Sequence, residues 1–321
     1  MKDIVTLSGD IGGGKSSVAR ILQATLGYQL ISAGGIQREI AASMGLTTLQ
    51  LNEWSAKDRS VDDKIDSHTK MLGETSDHII VDSRLAWHFI PDAYKVFLSV
   101  DPLVGAERVF EASRSDEFHG SLAEALENNL SRTRLEAVRY RTLYGIELRD
   151  YRNYDLVVDT SFASPEDVAA TIESGFRARA AGTPFARCWM CPQRLAALPR
   201  ATNNEVKKDA DEVALVVRDG QFFLVCGEAT VASAVRDGVS LIAARFDFSE
   251  SVSSGQLFNE TPNSIGLRLI FRLKSIFTVL ARSPNCNKGF STKLLALQHA
   301  RALQCPHQRP CVTSNILDVD V

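Results

Sequence analysis

The stretch VTLSGDIGGGKSSVARIL, residues 5–22, decides the fold of this chain. The apolar, β-branched run at residues 4–7 indicates a buried strand, and the apolar spacing from Ser16 to Leu26 indicates a helix. Between them, residues 9–16 fit the pattern G-x-x-x-x-G-K-[ST] of a phosphate-binding P-loop. The alternative is a glycine-rich turn without a ligand, but the strand–loop–helix context favours the phosphate site.

The chemistry of this loop suits a nucleoside triphosphate. Glycine lets successive backbone N–H groups point into one concavity, and the following helix directs its positive N-terminal end to the same place. Lys15 is predicted to reach the terminal phosphates, and the Ser16 hydroxyl is predicted to ligate Mg²⁺. A P-loop alone does not say which reaction follows.

Strand and helix patterns alternate through the first half of the chain, which predicts an α/β fold with a parallel sheet covered on both faces. The last helix of this half is predicted to begin at Ser164 as N-cap, with Pro165 in the first turn and Asp167 completing a capping box, and to end at Gly182. The candidate strands are Asp3–Ser8, Tyr28–Ser32, His78–Asp82, Lys95–Val100 and Asp155–Val158.

The character of the sequence changes after residue 182, so we predict a P-loop domain at 1–182 and a smaller α+β domain at 183–249. The Asp-Gly pair inside Arg218–Gln221, between two apolar runs, is a hairpin signal. Residues 250–321 are left unassigned, except for one predicted amphipathic helix at 264–282. Arginine and lysine interrupt that helix, so it is a poor candidate for a membrane span.

Composition places the chain among ordinary globular proteins, with 45% hydrophobic and 23% charged residues. A net charge of −3 offers no general argument for binding nucleic acid or membranes. Six cysteines in 321 residues do not resemble a secreted disulfide framework. Because no secretory signal pattern is visible before the first strand, we expect a cytoplasmic location.

Three polar side chains follow the second and third candidate strands, at the end where ligands bind in such sheets. Asp82 occupies the position of a Walker B carboxylate and could hold Mg²⁺ through water. Arg38 and Arg84 are candidates for gripping a second phosphate, because a guanidinium can bind phosphate bidentately. Taken singly, each arginine is more often a solvated surface charge.

The segment 122–144 carries arginines at helical spacing. Arg132 and Arg139 are seven residues apart and therefore share a helix face. Phosphoryl transfer needs cations over the transferring oxygens, which a helical lid could supply while excluding water. A solvated, salt-bridged helix, with Glu136 close by, is the alternative.

Residues 1 to about 178 resemble the cytidylate kinase-like branch of the nucleoside monophosphate kinases. The matching stretches are SGDIGGGKSSVARIL, ISAGGIQREIA, VDSRLAWHF, DPLVGAERVF and RYRTLYGIELRDYRNYDLVVDTSFASPEDV. The resemblance implies transfer of the γ-phosphoryl group of ATP to a nucleoside monophosphate, with Mg²⁺. It implies acceptor-phosphate binding by Arg38 and Arg84 and catalytic roles for Lys15, Arg132 and Arg139. The residues it implies for ATP are Gly9, Asp10, Ile11, Gly12, Gly13, Gly14, Lys15, Ser16 and Ser17.

A second resemblance covers the region after residue 182, which looks like a ParB/sulfiredoxin-like module. Its small loop is at Cys226–Thr230, where Glu228 matches the acidic variant, but the basic residues that would follow are missing. We therefore expect a structural or regulatory role, and nucleic-acid binding through this module has no support from its residues. The C-x-x-C of Cys188 and Cys191 lacks a second pair at zinc-site spacing, so a structural zinc site is not favoured.

The leading hypothesis is an ATP- and Mg²⁺-dependent kinase that acts on a pyrimidine nucleoside monophosphate. One alternative is a kinase for a modified nucleotide or for a hydroxymethylated base in DNA. Another is a nucleotide-binding regulator with slow turnover. If the first domain is complete by residue 182, a fragment 1–182 should fold and keep its activity.

Overall fold

The computed structural model describes residues 2–46, 60–112, 121–198, 212–218 and 221–247. Among these residues no helix combines the length and the apolar character needed to cross a membrane. In chain order the elements are β1 (Ile4–Gly9), α1 (Lys15–Leu26), β2 (Gln29–Ser32), α2 (Ala33–Ser43), α3 (Ser60–Thr75), β3 (Ile79–Asp82), α4 (Ala86–Phe89), β4 (Tyr94–Ser99), α5 (Pro102–Glu111), α6 (Leu122–Tyr144), a 3₁₀ turn (Tyr151–Asn153), β5 (Leu156–Asp159), α7 (Pro165–Ala181), β6 (Cys188–Met190), α8 (Pro192–Ala196), β7 (Ala214–Arg218), β8 (Gln221–Cys226), α9 (Glu228–Arg236) and β9 (Ile242–Asp247).

The described strands form one sheet in the order β2-β3-β1-β4-β5-β6-β9-β7-β8. The strands from β2 to β6 run parallel, as the alternation of strand and helix predicts. The five candidate strands of the first half are confirmed to within one residue at each end. Strand β1 lies between β3 and β4 and is buried along its whole length, so its carboxyl end brings the P-loop to the middle of the sheet.

The predicted caps of α7 are present. The Ser164 hydroxyl accepts a hydrogen bond from the Asp167 N–H at 3.0 Å, and Pro165 stands in the first turn. Gly182 closes the helix with a φ of 66°, the left-handed conformation that glycine adopts at little cost. Local chemistry therefore sets both ends of this helix.

The sheet does not end at residue 182, where the sequence predicts a domain boundary. Strand β6 pairs in parallel with β5, and β9 pairs antiparallel with β6. The hairpin β7–β8 is confirmed, with Arg218 opposite Gln221, but it extends the same sheet through the parallel pair of β7 with β9. Without β6, the edge of β5 would present unpaired backbone groups, which explains why the sheet continues.

One hydrophobic core spans the predicted boundary. Trp87, Phe97 and Tyr154, from before residue 182, share a cluster with Leu195 and Phe222 from after it. The aromatic rings of Tyr151 and Phe222 stack with centroids 5.2 Å apart. The helix predicted at 264–282 lies outside the described residues, as does the whole of 248–321.

Candidate active site

The P-loop joins β1 to α1 and approaches helix α5 closely. A Cβ added at Gly12 would lie 2.3 Å from the backbone oxygen of Gly105, so only glycine fits there. Gly14 has a φ of 73° and forms the N-cap of α1. The loop therefore turns directly into the N-terminus of α1, which is the arrangement that receives phosphate oxygens.

Lys15 is held by the loop itself. Its Nζ donates to the backbone oxygens of Asp10 at 2.9 Å and Gly9 at 3.2 Å. Burial, together with the nearby Arg84 cation, lowers the pKa of Lys15 to about 8, although Asp82 and other carboxylates act in the opposite direction. Phosphate charge at this position would stabilise the ammonium form, as expected of a residue that neutralises phosphates.

Ser16 and Asp82, the two residues that the sequence predicts for Mg²⁺, are in contact. The Ser16 hydroxyl donates to the Asp82 carboxylate at 3.2 Å, although the two residues are far apart in sequence. The sheet explains the meeting, because Leu7 of β1 pairs with Asp82 at the end of β3. A hydroxyl and a carboxylate are the oxygen ligands that Mg²⁺ prefers alongside phosphates and water, so this pair fits the ion.

Arg84 follows β3 and lies beside the P-loop, as the sequence predicts. Its backbone oxygen accepts a hydrogen bond from Ser8 at 3.0 Å, which fixes the start of the segment that carries it. Its side chain is mostly buried and its Nη1 lies 2.5 Å from Glu136 of α6. Arg84, which is predicted to bind the acceptor phosphate, is therefore paired with Glu136 of the predicted lid helix.

The two predicted lid arginines lie on one long helix, α6, which confirms the helical spacing. Their partners differ: Arg132 Nε lies 3.1 Å from Glu136, and Arg139 Nη2 donates to both carboxylate oxygens of Asp62 on α3, at 2.7 and 2.5 Å. Both arginine side chains are about half exposed. Arg38 lies on an exposed face of α2.

Sequence reasoning missed an ion pair at the P-loop, in which Asp10 is buried and Arg149 is about one-third exposed. Arg149, which follows helix α6, donates through Nε and Nη2 to one oxygen of Asp10, at 3.1 and 2.9 Å. The other oxygen accepts the Val100 N–H at 3.1 Å. Burial alone would raise the pKa of Asp10, but Arg149 and the Val100 N–H outweigh it and lower the pKa. Residues 10 and 149 both lie in stretches that carry the family resemblance, which was the available signal.

A second missed residue is Arg108 of α5. Its Nη2 donates to the backbone oxygens of Thr160 at 2.7 Å and Ser161 at 3.2 Å, and its Nη1 donates to that of Gly12 at 3.2 Å. The guanidinium thus ties the loop after β5 to the P-loop. Its five donors in a rigid fork explain why an arginine occupies this place.

Around the C-x-x-C pair, the described part of the chain contains no cluster of three side chains that could ligate a metal. Cys188 and Cys191 are buried and unbonded to each other, and burial raises the pKa of both thiols. The other potential zinc ligands that the sequence offers, Cys305, His307 and Cys311, lie outside the described residues.

The sequence profile of the cytidylate kinase-like family matches residues 4–162. The cytidylate kinase of Natronomonas pharaonis is 37% identical over 179 residues, which are 55% of this chain and 91% of that protein. The cytidylate kinase of Ignicoccus hospitalis is also 37% identical, over 53% of this chain and 96% of that protein. An S-adenosylmethionine-dependent nucleotide dehydratase of Lacinutrix mariniflava is 32% identical over 173 residues, only 35% of its length.

Proposed function

The chain belongs to the cytidylate kinase-like family, and we propose that this nucleoside monophosphate kinase transfers the γ-phosphoryl group of ATP to CMP or dCMP. One observation carries the proposal. Lys15, Ser16, Asp82 and Arg84 come together at the carboxyl ends of β1 and β3. This arrangement supports the proposal of a triphosphate cradle at the P-loop, with the Arg84 cation close enough to hold the phosphate of the acceptor.

The reaction needs positioning and charge neutralisation more than covalent chemistry. A phosphate oxygen of the acceptor attacks the γ-phosphorus, and the bond from that phosphorus to the β–γ bridging oxygen breaks, which leaves ADP and a nucleoside diphosphate. Lys15 neutralises charge on the β- and γ-phosphates, while Arg84 and Arg38 hold the acceptor phosphate in line. Mg²⁺, when bound, neutralises the triphosphate, and the Ser16 hydroxyl and the Asp82 carboxylate would hold it.

Lid helix α6 supplies the remaining cations. Arg132 and Arg139 are about half exposed and paired with carboxylates rather than buried in the core, so they can exchange partners at modest cost. When both substrates are bound, these guanidinium groups would cover the charge that develops on the transferring oxygens. The proposed preference for a pyrimidine draws on the relatives named cytidylate kinase.

An acceptor panel tests this function. The full chain is incubated with ATP, Mg²⁺ and, separately, CMP, dCMP, UMP, AMP or hydroxymethylated DNA, and ADP release is measured. We expect the fastest turnover with CMP or dCMP and its loss in Lys15→Ala, while Lys70→Ala, which removes an exposed lysine of α3, keeps it. Turnover on DNA alone, or tight ATP binding without any acceptor, would contradict the proposal in favour of a DNA-base kinase or a nucleotide-binding regulator.

A further inference from the structure

A buried arginine from beyond the region matched by the family profile contacts the ends of β4 and β5, next to the P-loop. Arg194 lies on α8, and its side chain is only 9% exposed. Its Nη1 donates to the Asp159 carboxylate at 2.7 Å and to the Ser99 hydroxyl at 3.0 Å. Its guanidinium lies 5.1 Å from the ring centroid of Phe222. The family profile matches residues 4–162, so this cation comes from a part of the chain that the profile does not cover.

The hydrogen bond from Arg194 to Ser99 connects the arginine to Asp10 of the P-loop. Ser99 ends β4, and the next residue, Val100, donates its N–H to the Asp10 carboxylate at 3.1 Å. The N–H of Asp10 in turn donates to the backbone oxygen of Leu98 at 2.9 Å. The end of β4 therefore determines where the second residue of the P-loop lies, and Arg194 holds that end.

The ion pair of Arg194 with Asp159 connects the arginine to Gly12 of the P-loop. Asp159 ends β5 and accepts both the N–H and the hydroxyl of Ser161, at 3.1 and 2.6 Å. The backbone oxygen of Ser161 accepts from Arg108, whose other Nη donates to the backbone of Gly12. A shift of Asp159 would therefore pass through Arg108 to the glycines that receive phosphate.

The electrostatics make Arg194 necessary for this arrangement. Asp159 is fully buried, and a buried carboxylate without a cation is strongly destabilising. Burial alone lowers the pKa of the Arg194 guanidinium, but Asp159 beside it outweighs burial and raises the pKa. The buried guanidinium and the buried carboxylate, 2.7 Å apart, thus compensate each other's charge. Without the cation, we expect the Asp159 carboxylate to shift toward other hydrogen-bond donors in the loop that follows β5.

We propose that Arg194 is a positioning residue for the phosphate-binding loop, and that the segment containing α8 is therefore part of the kinase. Arg194 touches neither substrate; it acts through Ser99 and Asp159 on Asp10 and Gly12. The expected effect of Arg194 on catalysis rests on the proposed function. The expected effect on ATP affinity can be measured without any acceptor.

The matched control is Arg179, which pairs with Asp155 at the opposite end of β5. Its Nη1 lies 3.4 Å from that carboxylate, and its Nη2 donates to the backbone oxygen of Asp92 at 2.9 Å. Because β5 runs from Leu156 to Asp159, the two arginines hold opposite ends of one strand. Loss of Arg179 should weaken the fold without moving the P-loop.

The experiment measures ATP binding in the full chain with a fluorescent ATP analogue, alongside melting temperature and steady-state kinetics. We expect Arg194→Met to raise the Kd and the KM for ATP about tenfold, since small misplacements of a binding group have large effects, while the acceptor KM changes little. Arg194→Lys should restore part of the ATP affinity, and Ser99→Ala should raise the Kd by about threefold. Arg179→Met should lower the melting temperature and leave the Kd for ATP unchanged.

Two results would overturn the proposal. One is a wild-type Kd for ATP in folded Arg194→Met, or, if that variant does not fold, in both Arg194→Lys and Ser99→Ala. The other is an equal rise in Kd in Arg179→Met, which would mean that lost stability alone explains the effect. If the wild-type chain binds ATP but phosphorylates no acceptor, the proposed function fails, whereas the Kd comparison still decides the role of Arg194.

Discussion

Oε2 of Glu136, on helix α6, lies 2.5 Å from Nη1 of Arg84, the cation that follows β3 beside the P-loop. Both side chains are less than one-fifth exposed, so the pair is shielded from solvent more than an ordinary surface ion pair. Arg132 contacts the other oxygen of the same carboxylate. If Arg84 binds the acceptor phosphate as proposed, Glu136 occupies the place on its guanidinium that this phosphate would need.

The first prediction is that Glu136→Gln strengthens acceptor binding. With the competing charge removed, the KM for the acceptor should fall about threefold to tenfold, which corresponds to the loss of one partly shielded ion pair. The measurement is the KM for CMP at saturating ATP. Glu127→Gln, an exposed glutamate on the same helix, is the control and should change nothing. A higher acceptor KM in Glu136→Gln would show that the carboxylate orients Arg84 rather than competing for it.

The second prediction is that Arg38 and Arg84 act on the acceptor side. Replacing either with alanine should reduce kcat/KM for the acceptor by about tenfold to a hundredfold, because a charge-assisted contact contributes about 1.5–3 kcal/mol. The Kd for ATP should change much less. Arg20→Ala, on the exposed face of α1, serves as control. If the affinity for ATP collapses while the acceptor KM holds, these arginines belong to the other substrate.

The third prediction concerns Lys15, the ammonium that the P-loop holds through the backbone oxygens of Gly9 and Asp10. Lys15→Ala should abolish phosphoryl transfer and leave the fold intact, because the loop backbone keeps its own hydrogen bonds. Turnover with CMP and the far-ultraviolet circular dichroism spectrum check the two parts. Transfer at the wild-type rate in a folded Lys15→Ala protein is the result that the kinase mechanism cannot accommodate.

The fourth prediction is that ATP binding takes up a proton near pH 8. The pKa of Lys15 is lowered to about 8 by burial and by Arg84, and bound phosphates would raise it. Above that pH the lysine must gain a proton on binding, so the Kd for ATP should rise, by at most tenfold per pH unit. Calorimetry in buffers of different ionisation enthalpy measures the uptake. Lys15→Met should bind weakly with no such uptake, and an unchanged uptake would assign the proton to another group.

The same lowered pKa has a consequence for stability. Between about pH 8 and the ordinary pKa of lysine, the unfolded chain binds more protons than the folded chain. The contribution of Lys15 to the free energy of unfolding therefore rises with pH in that range. Below pH 8 the cost of burying the ammonium is fully present. Denaturant unfolding of wild type and Lys15→Met at two pH values measures this difference.

The fifth prediction concerns truncation. The sequence alone predicts that a fragment 1–182 folds and stays active, but the shared core predicts the opposite. Cutting there would expose Phe97 and Tyr154, which pack with Leu195 and Phe222, and would leave Asp159 without Arg194. We expect 1–182 to lose cooperative unfolding and ATP affinity, whereas 1–247, which keeps the whole described sheet, retains both. A cooperatively unfolding, active 1–182 fragment would restore the division into independent domains.

The sequence by itself determined the features whose causes are local. The P-loop follows from glycines at fixed spacing between an apolar strand and a helix, and α7 begins and ends where Ser164 and Gly182 cap it. The order of strand and helix patterns was enough to predict the parallel sheet. The Ser16–Asp82 meeting followed too, because the ends of neighbouring parallel strands lie at one edge.

Only the tertiary structure decided which charges meet across the chain. Arg149 reaches Asp10, Glu136 reaches Arg84, and Arg194 reaches Asp159, none of them within one helix or one turn. No periodicity encodes such pairs, because burial decides which guanidinium must compensate which carboxylate. The continuation of the sheet beyond residue 182 was likewise decided by tertiary structure. The sequence changes in composition there, which suggests a domain boundary. A sheet that ended at β5 would leave an unpaired strand edge and exposed aromatic side chains, so the longer sheet has the lower free energy.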